Sequence, residues 1–71
     1  MIRSDHSRIS FKFLDQLQHR TKMEIVKGYE EWFNNHNIKY SFDRFPPWSP
    51  YPTSVILRNE DALLFKLTFG L

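Results

Sequence analysis

Seventy-one residues make one domain, whose lone hydrophobic core supplies no more than about 3 to 5 kcal/mol of net stability, so every large side chain counts. Ten basic and eight acidic residues leave a formal charge of +2, and the pI of 9.2 reflects that small excess rather than a basic tract, so strong nucleic-acid affinity is not implied. The chain has no cysteine, which excludes disulfides and thiolate zinc sites and permits a reducing, cytoplasmic location.

No apolar run approaches the roughly 18 residues of a membrane span. Met1-Ile2-Arg3-Ser4-Asp5-His6 lacks the charged-then-apolar order of a signal peptide, so the expectation is a soluble protein that is not exported, with no membrane role. Aromatic residues make up 17% of the chain, and each can bury about 150 to 250 Å², a way for a short sequence to build a core.

The first predicted element is a strand from Ser7 to Leu14. Ile9, Phe11 and Phe13 alternate with Arg8, Ser10 and Lys12, the period of a strand with one buried and one solvated face. A helix follows. Asp15-x-x-Gln18 and Thr21-x-x-Glu24 both have the form of a capping box. The stripe of Ile25, Val26, Tyr29, Trp32 and Phe33 favours the later start, and the helix is placed at Lys22 to Asn35. Asn34, Asn35 and Asn37 tolerate the left-handed conformation of a helix C-terminus, and His36 suits its negative end. Gly28, inside this helix, is read as a point of close approach to a strand.

Strand 2 is predicted at Ile38–Asp43 and strand 3 at Thr53–Arg58. The consecutive aliphatics Val55-Ile56-Leu57 suit a central strand with neighbours on both edges. Between the two strands, four prolines forbid regular pairing.

The C-terminal stretch RNEDALLFKLTFGL alternates as a strand would, yet its punctuation is that of a helix. Asn59 is a favoured N-cap, Glu60 and Asp61 put negative charge in a first turn, and Gly70 stands where a C-terminal glycine belongs. A hairpin turn at Asn59-Glu60-Asp61 would lack the usual glycine. The reading is therefore a helix.

Strand, helix, strand, strand, helix resembles a ferredoxin-like fold lacking its last strand. The predicted fold class is α+β, a three-stranded sheet with strand 3 in the middle and two helices on one face. Without a fourth strand, the outer edge of strand 1 is free to accept a second copy or a partner strand.

Within the same stretch, Asp61-Ala62-x-x-Phe65-Lys66-Leu67-x-Phe69-Gly70 resembles the C-terminal tail of small uncharacterised proteins from large tailed phages, including phages of marine bacteria and cyanobacteria. The likeness covers about one seventh of the chain and brings no catalytic residues with it. What it implies is a phage product acting in the host cytoplasm, where short accessory proteins bind and redirect host machinery.

Chemical signatures are weak. His6, His19 and His36 lack a metal-ligand spacing and read as surface or capping residues. Glu30-Glu31 and Glu60-Asp61 are adjacent on helices and point apart, so they read as a solvated face and a dipole contact rather than an acid–base pair. With two glycines in all, no phosphate-cradling loop is present, and the expectation is no enzyme activity and no cofactor.

Two surfaces remain. The segment Phe45-Pro46-Pro47-Trp48-Ser49-Pro50-Tyr51-Pro52 combines prolines, which reduce the entropy lost on docking, with residue types enriched at binding hot spots. Arg44, Phe45, Trp48 and Tyr51 are the candidate partner-binding residues. The competing reading is an aromatic lid folded over the core. Pro47-x-x-Pro50 also matches a polyproline ligand, a short and common pattern.

The alternative surface is the sheet face opposite the helices. There Arg8, Lys12 and Lys39, with Ser10 and Ser41, would form a small phosphate-contacting patch. It lacks the outward aromatics that stack on bases. The leading expectation is a small non-enzymatic protein-binding module; the alternatives are a weak nucleic-acid-binding domain and a structural virion or assembly component.

Overall fold

The computed structural model describes residues 4–71. Its elements are β1 (His6–Ser10), a single 3-10 turn (Lys12–Leu14), α1 (His19–Asn35), β2 (Ser41–Asp43), β3 (Ser54–Arg58) and α2 (Asn59–Phe69). The fold is α+β: a three-stranded antiparallel sheet and two helices, with sheet order β1-β3-β2. The aliphatic run of β3 occupies the central position for which its composition suits it.

Register sorts the side chains into two faces. Ile9, Val55 and Phe42 lie abreast on the inner face, with Ser7 beside Leu57. Arg8, Ile56 and Ser41 lie abreast on the outer face, and Ser10, Ser54 and Asp43 form the next row. Ile9, Val55 and Leu57 join one core with Val26, Tyr29 and Phe33 of α1 and Ala62 and Phe65 of α2. Phe33 and Phe65 are fully enclosed, 5.2 Å apart, with Phe33 stacked on Tyr40 at 4.8 Å and Phe65 edge-on to Tyr29 at 4.9 Å. Such ring pairs add about 0.5 to 1.5 kcal/mol beyond the area they bury.

Several boundaries differ from the sequence reading. β1 ends at Ser10, not Leu14, because the chain leaves the sheet at the 3-10 turn. Phe11 still points inward, its amide bonded to the Thr53 carbonyl at 2.9 Å, but Phe13 is 44% exposed and Leu14 takes its place in the core. α1 begins at His19 rather than Lys22, with Gln18 as an N-cap that makes no side-chain bond, so neither capping box is used. β2 is shorter than predicted, Ser41–Asp43, and β3 starts at Ser54.

The C-terminal helix forms as its punctuation predicts, with one correction. Arg58 is the N-cap, and Asn59 lies inside the first turn. Its side chain accepts a bond from the Ser7 hydroxyl at 2.6 Å and donates to the Ser4 carbonyl at 3.2 Å, while its amide donates to the Asp5 carbonyl at 2.9 Å. Asn59 thus ties α2 to the start of β1. At the other end Gly70 is left-handed at φ 70°, and the Leu71 amide reaches back to the Lys66 carbonyl at 2.9 Å. Asn37, at φ 55°, closes α1 in the same way, with the Ile38 amide on the Phe33 carbonyl.

Gly28 does not mark a close approach. A side-chain carbon at that position would meet nothing within 4 Å, so the predicted contact with a strand is overturned. The position opens onto a shallow groove with Ile25, Tyr29 and Phe69.

Candidate functional site

The proline-aromatic loop joins β2 to β3, and its neck is closed by the chain itself. The amide and hydroxyl of Thr53 both donate to the Asp43 carbonyl, at 2.8 and 3.0 Å, continuing the ladder one step past Asp43 and Ser54. Within the loop the Ser49 amide donates to the Pro46 carbonyl at 2.9 Å, a turn with Pro47 at the position where its fixed φ is favoured. The Ser49 hydroxyl donates to the Tyr51 carbonyl at 2.8 Å, and the Arg44 guanidinium to the Ser49 carbonyl at 3.3 Å. The Phe45–Pro46 bond is cis. A surface loop with closed ends and its own internal bonds is a compact Ω-type unit.

The four residues singled out in sequence do different things here. Phe45 is 80% exposed and Trp48 82% exposed, so both rings stand in solvent and neither is part of a lid. Tyr51 turns back: the Lys22 ammonium donates to its hydroxyl at 3.4 Å and lies 4.8 Å from its ring centre, and the His19 ring is 5.3 Å away. Pro52, next to it, is buried. Arg44 braces the loop from within. Tyr51 and Pro52 are the anchor, and Phe45 and Trp48 are the exposed tip.

Two clefts flank that anchor. One, of about 260 Å³, lies between Tyr51, the 3-10 turn and α1, with Lys12, Asp15 and Lys22 at its polar side and Phe11 and Leu14 at its apolar side. The other, of about 410 Å³, lies between Met23, Lys27, Glu30, Phe42 and Arg44. His19 and Lys22 were not candidates in the sequence; their proximity to Tyr51 depends on where α1 crosses the loop, which no local pattern encodes.

The alternative basic patch is dispersed. Of the five residues expected in it, Arg8, Ser10 and Ser41 stand on the outer sheet face. Lys12 lies on the 3-10 turn and lines the smaller cleft, and Lys39 precedes β2. Arg8 is paired across β3 with Asp43, Nη2 to Oδ2 at 3.2 Å, each about half exposed. That pair neutralises the basic side chain that the expected patch keeps on the sheet.

Among the described residues no group of three or more His, Asp or Glu gathers as a metal site would require, and no helix is long and apolar enough to cross a membrane. The perturbed tyrosines are structural. Burial pushes the Tyr29 phenol above its ordinary range, and burial, followed by the nearby Glu30 carboxylate, does the same to Tyr40. No family model, curated protein or solved structure matches this chain.

Proposed function

We propose that the protein is a small non-enzymatic protein-binding module whose docking element is the tip of the β2–β3 loop. The observation that carries this reading is the pair Phe45 and Trp48, four-fifths exposed on a loop held by its own hydrogen bonds and anchored through Tyr51. Two large rings in water contribute nothing to the core. Docked in a partner's pocket they bury area without the ordering penalty of a flexible segment.

The order β1-β3-β2 with antiparallel neighbours supports reading the scaffold as a ferredoxin-like arrangement without its last strand. The resemblance of the C-terminal tail to phage proteins supports a host protein as the partner and the host cytoplasm as its place of action. The nucleic-acid alternative is the weaker one, because Arg8 is held by Asp43 and Lys12 and Lys39 lie off the sheet face.

Affinity capture from a candidate host lysate tests the reading. The wild-type chain is expected to retain a protein that the doubly substituted Phe45→Ala, Trp48→Ala chain loses, with the melting temperature changed by less than about 4 °C. Equal retention per folded molecule would remove the loop tip from the binding surface.

A further inference from the structure

The smaller of the two clefts has the build of a ligand pocket, and neither ring of the loop tip belongs to it. It encloses about 260 Å³, and its floor is made by the buried Phe11, Leu14 and Val26. A concave apolar floor with a few polar groups around it is the usual form of a small-molecule site, and pockets for drug-sized ligands begin near about 300 Å³, so the occupant here is small.

Charge around the cleft is uneven. Lys12 and Lys22 line it against one acid, Asp15. Neither lysine joins an ion pair among the described residues. Lys22 is also held in place, its ammonium donating to the Tyr51 hydroxyl at 3.4 Å and lying 4.8 Å from the ring centre. A phenol and a ring orient the ammonium but leave its charge uncompensated. Lys22 stands in the opening turn of α1, a helix whose N-cap makes no side-chain bond and whose first turn carries no acid. The positive end of the helix dipole therefore adds to the cation. The larger cleft selects no charge, since Glu24 and Glu30 there are balanced by Lys27 and Arg44.

We infer that the smaller cleft binds a small monocarboxylate with an apolar body, an aromatic or branched-chain acid, whose carboxylate is received by Lys22 and Lys12 and whose body lies on Phe11, Leu14 and Val26. An inorganic anion would leave the apolar floor in water, and an apolar amine would meet two cations. Asp15, exposed, weakens the site by like-charge repulsion without reversing its sign. Neither Phe45 nor Trp48 takes part, so this site stands or falls independently of what the loop tip binds.

Titration of the isotope-labelled chain with sodium phenylacetate at fixed ionic strength, followed by amide chemical shifts, tests the inference. Saturable shifts are expected at Phe11, Leu14, Val26 and Tyr51, with a Kd on the order of 1 mM, the strength that a ligand of about ten non-hydrogen atoms reaches. Phenylacetamide, of the same shape without the charge, should bind at least about fivefold more weakly, and phenethylamine more weakly still. Lys22→Met should raise the Kd about fivefold and Lys12→Met about two- to fivefold, while Lys22→Arg stays within about twofold of the wild type and Asp15→Asn binds more tightly. Melting curves confirm that each variant is folded. Absence of saturation up to about 20 mM, phenylacetamide or phenethylamine binding as tightly as phenylacetate, a Kd indifferent to Lys22→Met in the folded chain, or shifts confined to residues outside the cleft would each overturn it.

Discussion

Phe33 and Phe65 are fully enclosed, whereas Phe45 and Trp48 stand four-fifths in solvent, so residues of one chemical kind are divided between holding the fold and facing outward. The division has measurable consequences. Phe33→Ala or Phe65→Ala should lose about 3 to 5 kcal/mol, which is the whole net stability of a domain this small, and urea titration should find no cooperative transition. Trp48→Ala should shift the same transition by less than about 0.5 kcal/mol. Tyr51→Ala is expected between the two, since it removes a half-buried ring and its bond to Lys22.

The buried Tyr29 and the partly buried Tyr40 also set a pH limit. The folded-state phenols of Tyr29 and Tyr40 are raised, so above about pH 10 the unfolded chain has released protons that the folded chain still holds. Their contribution to stability is complete below that pH and is lost as the pH rises through the folded values. Urea midpoints measured between neutral and strongly alkaline pH should fall only at the alkaline end, and Tyr29→Phe should reduce the fall.

At the scale of elements, α1 carries an unused margin. Gly28 sits mid-helix with open space where a side chain would go, so Gly28→Ala should stabilise by about 0.5 to 1 kcal/mol, raising the melting temperature by several degrees. A decrease would mean that the groove beside Phe69 is tighter than the geometry allows. Asn59 offers a sharper comparison. Were it an N-cap, Ser in its place would be nearly neutral. Because its amide group instead bridges the Ser7 hydroxyl and the Ser4 carbonyl, both Asn59→Ser and Asn59→Ala should cost about 1 to 2 kcal/mol, read by thermal denaturation.

For the whole molecule, charge and shape argue against a polyanion ligand. With Arg8 paired and the lysines spread over a turn and a connector, binding to single-stranded or duplex DNA should be weaker than about 1 µM at physiological salt, measured by fluorescence anisotropy. Tight binding that falls steeply with salt and is lost on reversing Arg8 would reinstate the sheet face. The loop tip and the cleft beside Tyr51 use different side chains, so the two contacts are separable.

Local sequence determined the element types. Alternation over Arg8–Phe11, the stripe through Tyr29 and Phe33, the aliphatic run of β3 and the acid-first, glycine-last punctuation of α2 each encode their conformation within a few residues, because backbone preference and hydrophobic period act at short range. They were enough to favour a helix over an equally alternating strand at the C-terminus. The tertiary structure alone decided what each side chain meets: that β1 stops at Ser10, that Asn59 ties two elements rather than capping one, that Gly28 faces open space, that Tyr51 turns inward while Trp48 does not, and that Arg8 finds Asp43 across the sheet. Those partners are distant in sequence, brought together by packing around the enclosed pair Phe33 and Phe65, and no periodicity within a single element carries that information.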